Sequence, residues 1–498
     1  MKEYIIAVDR GSTNVKAVVF NTRGEEILVS VCASPKPVSL RPDWWEQDMD
    51  EIWESAAKAI RGVFAEEIRP EDILGVIVTG QGNGLMPIDK DGNPAGKGIL
   101  STDSRAAEIV SGWQADGRYE QALRTVHLPF AAGSPLPLAA WFHTNDPAVF
   151  EAMDKLLFSK DWVRYKLCGT VCTDPSDASG AGLMDLCKST YAYDVFDLLG
   201  VGCIRDKLPE IRPSHQVAGS VTKEAAARTG LLAGTPVFCG AHDIAAYPFG
   251  IGSADPKQLV CAAGTWGMNL LPAKSLDGLP AALYHSVPGY YLTGVGDGNS
   301  GGCLDNMLGT LCGEEKRLAA AQGRSLYDYI EDGLLDREPT GILFHPFLFG
   351  SDVGASFYGI KNWHSKTDIL RAVYEGIVMG HCANIRAIPG HGAVDFIWLI
   401  GGASKSAVVG QLFADITGFP VKVPAVREVT ARGGALNALV GLGICKDHAE
   451  AAIPVSVRAE YLPNPDMQEF YARKFAIFEE LMQVNSGIWT KLSCLCRA

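Results

Sequence analysis

Four short segments combine glycine with polar side chains where an apolar run ends. Asp9-Arg10-Gly11-Ser12-Thr13-Asn14-Val15-Lys16 lies between two β-like runs. A glycine and hydroxyls in a tight β-turn present N–H and O–H donors to phosphate oxygens. Lys16 adds a positive charge there, and Asp9 is a candidate to hold a hydrated Mg²⁺. A plain hairpin, with Ser and Asn as turn formers, satisfies the same residues. Ala263-Gly264-Thr265-Trp266-Gly267 is placed in the same way in the second half of the chain. Two donor turns suit a triphosphate better than one, although Gly-Thr after a strand is common. Gly401-Gly402-Ala403-Ser404-Lys405-Ser406 leads from an apolar run into a helical one. Glycines there let a ligand approach the backbone at a helix N-terminus, or simply make a tight strand-to-helix connection. Gly240-Ala241-His242-Asp243 ends the run Pro236–Cys239. A carboxylate at such a strand end is placed to accept a hydroxyl proton during phosphoryl transfer. Capping the helical run Ile244–Tyr247 is the competing role for Asp243.

Three lookalikes carry less. Gly296-Asp297-Gly298-Asn299-Ser300-Gly301 fits the dinucleotide fingerprint but lacks a clear βαβ unit around it. Gly298-Asn299-Ser300-Gly301-Gly302 fits a hydrolase elbow, with His448 downstream in a Lys446–Glu450 stretch that reads as solvated. Gly92–Lys97 is one residue short of a phosphate-binding loop, and Asp91 and Pro94 make it a turn. There is no C-x-x-C and no H-E-x-x-H, which argues against zinc.

The elements that must position these loops follow from periodicity. Strands are expected at Tyr4–Val8, Val15–Phe20, Glu26–Val31 and Ile73–Val78. A helix is expected over Asp48–Phe64, with Ile52, Trp53, Ala56, Ile60 and Val63 on one face. The second half opens alike, with strands at Gln258–Ala262, Ala282–Val287 and Tyr290–Val295. Helix Asp368–Arg386, strand Phe396–Ile400, helix Ser404–Thr417, strand Val421–Val423 and helix Ala431–Leu442 complete that half. Two halves of like order suggest a duplicated α/β fold with a cleft between its halves. The break is expected near Phe249–Lys257, giving domains 1–248 and 249–485 and a patternless tail 486–498. Closure of the halves is expected to depend on a hinge at 245–257.

Composition bounds the partners. The chain has 498 residues and a net charge of -13, which disfavours a nucleic-acid partner. No apolar stretch approaches a membrane span, and Tyr4–Val8 is too short for a signal-peptide core. The 13 cysteines are scattered, as in reduced and mostly buried thiols. A cytoplasmic protein without a membrane partner is expected.

Against this background the chain resembles the FGGY carbohydrate kinases, relatives of glycerol kinase and xylulokinase, over roughly residues 3 to 480. The most specific match is Ala355-Ser356-Phe357-Tyr358-Gly359-Ile360, seven residues, then Asp368-Ile369-Leu370-Arg371-Ala372-Val373-Tyr374-Glu375. Gly133-Ser134-Pro135 and Trp141 fit the N-terminal signature, but Leu138 stands where lysine is usual. Asp9-x-Gly11-Ser12-Thr13 is similar to the family's D-x-G-T loop, with Lys16 where Arg or Lys is usual. Trp45-Glu46-Gln47-Asp48, Lys160-Asp161-Trp162 and Thr173-Asp174 through Ala178-Ser179 fall in family order.

The resemblance implies an α/β fold of two actin-like (ribonuclease H-like) domains closing on ATP and sugar, with Mg²⁺. It implies Asp243 as catalytic base. It implies Gly11, Ser12, Thr13, Asn14 and Lys16, with Gly264 and Thr265, as phosphate loops, and Gly302, Gly402 and Ser406 as adenosine contacts. Gln81-Gly82-Asn83-Gly84 stands where xylulokinases carry a sugar-contacting Q-M-H-G, and Asp103 takes the sugar-binding aspartate position. The run from Gln81 to Leu85, with Gly98 to Ala106 after it, is most similar to that of bacterial L-xylulose kinases. Glycerol kinase's Arg-Glu pair is absent from this loop. The expected activity is therefore phosphorylation of a terminal hydroxyl of a pentulose of L-xylulose, D-xylulose or ribulose type. A polyol such as erythritol or glycerol is the alternative. A nucleotide-switched actin-like binding protein is the alternative of another class, because fold alone does not prove sugar chemistry. Trp44 and Trp45 either wall the sugar pocket or pack in the core, and a homodimer stays open.

Overall fold

The computed structural model describes residues 3–65, 67–348 and 354–496. They form two compact units. One comprises Met1–Ala254, Ala273–Leu292 and Val426–Val455, the other Asp255–Pro272, Thr293–Ala425 and Ser456–Ala498.

In the first unit, β1 (Tyr4–Arg10), β2 (Asn14–Asn21) and β3 (Glu26–Ala33) form an antiparallel meander. Helix α1 (Met49–Val63) then carries the chain across to β4 (Ile73–Gly80), which pairs parallel with β1. The Asp48 carboxylate caps α1 by accepting the N–H groups of Asp50 and Glu51. β1 is apolar without alternation because both faces of the sheet are covered. Ile6, Val8 and Val19 face Ile52, Trp53, Ala56 and Ile60 of α1. Ile5, Ala7, Val18 and Phe20 face Ala431, Ala435 and Leu439 of the helix Val429–Gly441. Each fully buried Val, Ile, Leu or Phe among them contributes about 1.5–3 kcal/mol.

Further along lie α2 (Ser159–Cys168), α3 (Pro175–Gly180), β5 (Val217–Ser220), β6 (Pro236–Phe238), β7 (Ala241–His242) and α4 (Asp243–Gly250). The sheet order is β5-β6-β4-β1-β2-β3, with β7 also on β4.

The second unit repeats the beginning of this pattern. β8 (Gln258–Ala263) pairs antiparallel with β9 (Gly267–Ala273). β10 (Tyr291–Asp297) lies beyond β9 and leads into α5 (Gly301–Leu311). After α6 (Lys366–Arg386), β11 (Phe396–Ile400) pairs parallel with β8. Then come α7 (Ala407–Thr417), β12 (Val421–Pro424), β13 (Val457–Tyr461) and α8 (Pro465–Cys496). Ser365 and Asp368 form a capping box on α6.

Four local expectations change. Helix 431–442 was expected in the second half but packs in the first unit. Gly433 and Gly434 allow it: added Cβ atoms would lie 2.2 Å from the Ala246 carbonyl oxygen and 2.9 Å from the Thr79 methyl. The tail after residue 485 is not patternless, because α8 continues to Cys496. Its apolar anchors thin out there, yet Trp489 is buried beside His345 and Phe347. The strand Ala282–Val287 contracts to Leu283–Tyr284. His448 is not solvated, since it packs on His215 and Phe249 and hydrogen-bonds Asn437.

Eleven cysteines have described side chains, and all are free thiols, seven of them buried. No helix among the described residues is long and apolar enough to cross a membrane.

Candidate active site

The first sheet brings the titratable groups to one end. Across β1 and β2, Asp9 faces Lys16. Arg10 and His242 both sit beside Gly80 at the end of β4. Gly240 makes this approach possible: at φ 87°, a Cβ there would lie 1.9 Å from the Val78 carbonyl oxygen. The next turn delivers Asp243 as the first residue of α4, where its Oδ1 accepts the Ile244 N–H (2.6 Å). The helix N-cap is His242, so Asp243 is not spent on capping in the usual way.

Asp243 keeps 23% of its side chain exposed. Burial pushes its carboxyl up to about 6; Asp9 and Asp177 add to that, while His242 and the Ile244 N–H oppose it. Asp9 is likewise pushed up to about 6 by burial, with Glu428 adding and Lys16 and Arg10 opposing. A carboxylate poised near 6 is ionised at neutral pH and basic enough to take a proton. Lys16 is held by Glu428 (2.7 Å), and the fully buried Arg10 donates to Gln47 (2.6 Å) and the Gly11 carbonyl (2.8 Å). Ser12, Thr13 and Asn14 are exposed, and the turn closes with Gly11 N–H on the Asn14 carbonyl (3.1 Å).

Behind this end lies a sealed charge cluster. Lys160 contacts Asp161 (2.6 Å), Asp174 (3.1 Å) and Asp177 (3.1 Å), with no exposure of any side chain. Burial opposes the Lys160 charge, but the three carboxylates outweigh it and raise its pKa well above the ordinary value. Burial raises Asp177 strongly. Removing one partner of such a cluster costs about 3–5 kcal/mol. Asp174 passes the order outward: Ser176 Oγ donates to it (2.6 Å) and in turn accepts the His242 N–H (3.0 Å).

The loop 81–84 sits against the same end. Gln81 N–H donates to the Arg10 carbonyl (3.2 Å), and Gly82 lies against His242 and Asp177. Asn83 adopts a left-handed φ of 59°, and its Oδ1 is buried without a partner. Asp103 is reached through the 99–103 segment, because Leu85 and Ile99 exchange backbone hydrogen bonds. Its carboxylate accepts the Trp45 N–H (2.7 Å) and both the backbone and guanidinium N–H groups of Arg105 (2.9 Å each). Arg105 also reaches Glu46, with its guanidinium 4.6 Å from the Trp44 ring and 5.2 Å from that of Trp141. Trp44 therefore stacks in a cation–aromatic cluster, and Trp45 holds Asp103 through its backbone.

In the second unit the turn 263–267 gathers two other glycine loops. Gly301 N–H donates to the Gly264 carbonyl (2.8 Å) and Gly302 N–H to that of Thr265 (3.1 Å). Gly401, at φ 88°, lies so close that a Cβ would meet the Ala263 carbonyl carbon at 2.9 Å. Gly264, Thr265, Gly302 and the 401–402 loop are thus assembled in one place, with Gly402 open around its Cα. Ser406 caps α7, its Oγ accepting the Val409 N–H (3.0 Å).

The structure assembles Asp9, Lys16, Gln81, Gly82 and Asp243 at one sheet end, while Asp103 is committed to Arg105 and Trp45. Sequence reasoning missed Glu428 as partner of Lys16, the Lys160 cluster and Arg105. For Lys160 the signal was the Lys160-Asp161-Trp162 motif itself; for Glu428, 412 residues from Lys16, there was none.

Comparison with known proteins adds to this geometry. Residues 4–250 match the N-terminal domain, and residues 259–442 the C-terminal domain, of the FGGY family of carbohydrate kinases. The chain is 30% identical over 505 residues to the L-xylulose/3-keto-L-gulonate kinase of Escherichia coli (strain K12), covering 99% of each chain. It is 28% identical over 493 residues to a probable L-xylulose kinase of Pasteurella multocida (strain Pm70), covering 96% and 98%. The ligand-bound xylulose kinase of Lactobacillus acidophilus shares its mixed α/β two-domain fold, with a TM-score of 0.89 at 21% identity, covering 98% and 100%.

Proposed function

Because the chain belongs to the FGGY family of carbohydrate kinases, and so is a sugar kinase, we propose that it transfers the γ-phosphoryl group of ATP to a terminal hydroxyl of a pentulose, L-xylulose first. The observation that carries the chemistry is Asp243: a partly exposed carboxylate pushed up to about 6, at the start of a helix and beside the substrate loop. In this reading Asp243 accepts the hydroxyl proton as the oxygen attacks phosphorus in line. Gln81, Gly82 and Asn83 line the sugar, and the buried, unpartnered Asn83 Oδ1 supplies an acceptor. Asp103, which also holds Arg105 and Trp45 in place, contacts the sugar with them. Gly11, Ser12, Thr13, Asn14 and Lys16 are read as phosphate-binding residues, and Gly264, Thr265, Gly302, Gly402 and Ser406 as nucleotide-binding residues. The division at 248/249 belongs to this proposal.

Asp9 fits a Mg²⁺ role. Burial holds its carboxyl above the ordinary range although Lys16 and Arg10 oppose that, and a hydrated cation would lower the cost of the buried charge. Bound there, the ion would neutralise phosphate charge.

A coupled ADP-release screen over ketopentoses, 3-keto-L-gulonate, polyols and hexoses tests the proposal. The expected result is turnover raised most by L-xylulose or another ketopentose. Preference for a polyol would replace the substrate class, and no stimulation by any sugar would favour a nucleotide-switched binding protein.

A further inference from the structure

The residue before the proposed base has a place in the fold that the reading above leaves unused. His242 is only 6% exposed. Its ring lies between two glycines from separate segments. A Cβ on Gly82 would fall 2.5 Å from Nε2, and one on Gly180 would fall 2.8 Å from Nδ1. Both distances are shorter than non-bonded atoms tolerate, so the imidazole fills the side-chain space of position 82 in the substrate loop. Its backbone is anchored by Ser176, which is tied to Asp174 and through it to Lys160. Nε2 lies 3.3 Å from Asp243 Oδ1, while Nδ1 is buried without a partner. Burial lowers the pKa of the ring, so the imidazole is neutral at working pH and carries one proton. An ionised carboxylate only accepts, so the nitrogen that faces Asp243 must be the donor. The proton therefore belongs on Nε2.

We propose that His242 is a positioning residue for phosphoryl transfer: its ring shapes the substrate loop at Gly82, and its Nε2–H holds the Asp243 carboxylate toward the substrate hydroxyl. One imidazole then sets both the sugar's seat and the base, and the 3.3 Å separation shortens when substrate is bound. The inference rests on the kinase reading with Asp243 as base. The groups that share this environment are Asp9 from β1, Asp177 from α3 and Tyr247 from α4 around Asp243, and Asp174 and Lys160 around His242. Donation from a neutral Nε2–H favours the ionised Asp243 carboxylate, so loss of His242 moves the acid limb of kcat/KM to higher pH.

The test compares His242→Ala, His242→Gln and Gly82→Ala with the wild type, in pH profiles of kcat and of kcat/KM on the preferred sugar. His242→Ala is expected to lower kcat about 10²-fold and move the acid limb upward. His242→Gln, which keeps a donor, should recover part of both. Gly82→Ala, which displaces the ring, should follow His242→Ala. An unmoved acid limb in His242→Ala, or identical behaviour of the Ala and Gln variants, overturns the proposal. Nitrogen-15 NMR of the histidine-labelled wild type supplies a readout independent of variants and of turnover. The neutral Nε2-protonated form is expected, and a neutral Nδ1–H form or an imidazolium at pH 7.5 overturns it. Absence of sugar-stimulated ADP release in the wild type would strike the kinase reading instead, while the tautomer would still be read.

Discussion

The turns Arg10–Asn14 and Ala263–Gly267 occupy the same place in their sheets, yet they differ in charge. Each joins an antiparallel pair whose first strand also pairs in parallel with a later one. Around the first turn lie Asp9, Lys16, Glu428 and the buried Arg10. Beneath the second lie neutral groups. His381 Nδ1 meets Asn269 Oδ1 (3.1 Å), and His381 Nε2 meets Ser300 Oγ (2.9 Å). The Asn269 amide nitrogen donates to the Val295 carbonyl (3.3 Å), so its oxygen is the acceptor, and His381 carries its proton on Nδ1. Ser300 therefore donates to Nε2. Burial pushes His381 down to about 4. Gly267 is required above this ring, since a Cβ would lie 2.6 Å from its Cε1. The hydrolase-like pattern at residues 298–302 thus has a histidine, His381 in place of His448, but Ser300 and His381 are both buried. The same backbone device serves two ends: Asp9, raised to about 6, flanks the first turn, and a neutral histidine with its amide and hydroxyl partners lies beneath the second.

The largest effect expected is that of Asp243→Asn. It should lower kcat about 10³-fold with nucleotide affinity retained, measured by turnover and calorimetry. The same change should raise stability at pH 7–8 by about 3 kcal/mol. The sign follows from linkage. A carboxyl raised from 3.8 to about 6 keeps its proton in the folded state while the unfolded chain loses it, so stability falls as pH rises through that window. Full activity in this variant would remove the distinction between the two turns.

A smaller effect is expected at the neutral turn. Gly401→Ala forces a Cβ at positive φ against Ala263. Nucleotide affinity should fall about tenfold, of order 1–2 kcal/mol, with sugar affinity unchanged in the same titration. Loss of sugar affinity instead would show that this turn does not act on the nucleotide alone.

The subtlest effect is a contrast in pH response, read by hydrogen exchange. Around Asp9 and Asp243 protection should weaken as pH rises from about 4 to 6, for the reason just given. Around His381 the sign reverses. A histidine lowered from 6.5 to about 4 leaves the unfolded chain to bind the proton first, so stability is lost as pH falls through that window. Parallel trends in β1 and α6 peptides would break the comparison.

Much of this was legible in the chain. The β1–β2–β3–α1–β4 order, α6 and β11 follow from apolar periodicity, which reports which faces are buried. The four glycine-polar loops are local features, and all four lie at observed strand-to-strand or strand-to-helix junctions. The packing of the helix Val429–Gly441 was not legible, because its glycines signal close approach without naming the partner. Nor were the partners of Asp103, whose oxygens accept hydrogen bonds from Trp45 and Arg105.

By itself, then, the sequence determined the family, the duplicated α/β order and the identity of the carboxylate that serves as proposed base, since local pattern and motif spacing are properties of the chain. Only the tertiary structure decided which groups surround that carboxylate. The ring of His242 between Gly82 and Gly180, Glu428 on Lys16, and the sealed Lys160 cluster join residues far apart in sequence. Their protonation depends on burial and on neighbours that no local pattern encodes.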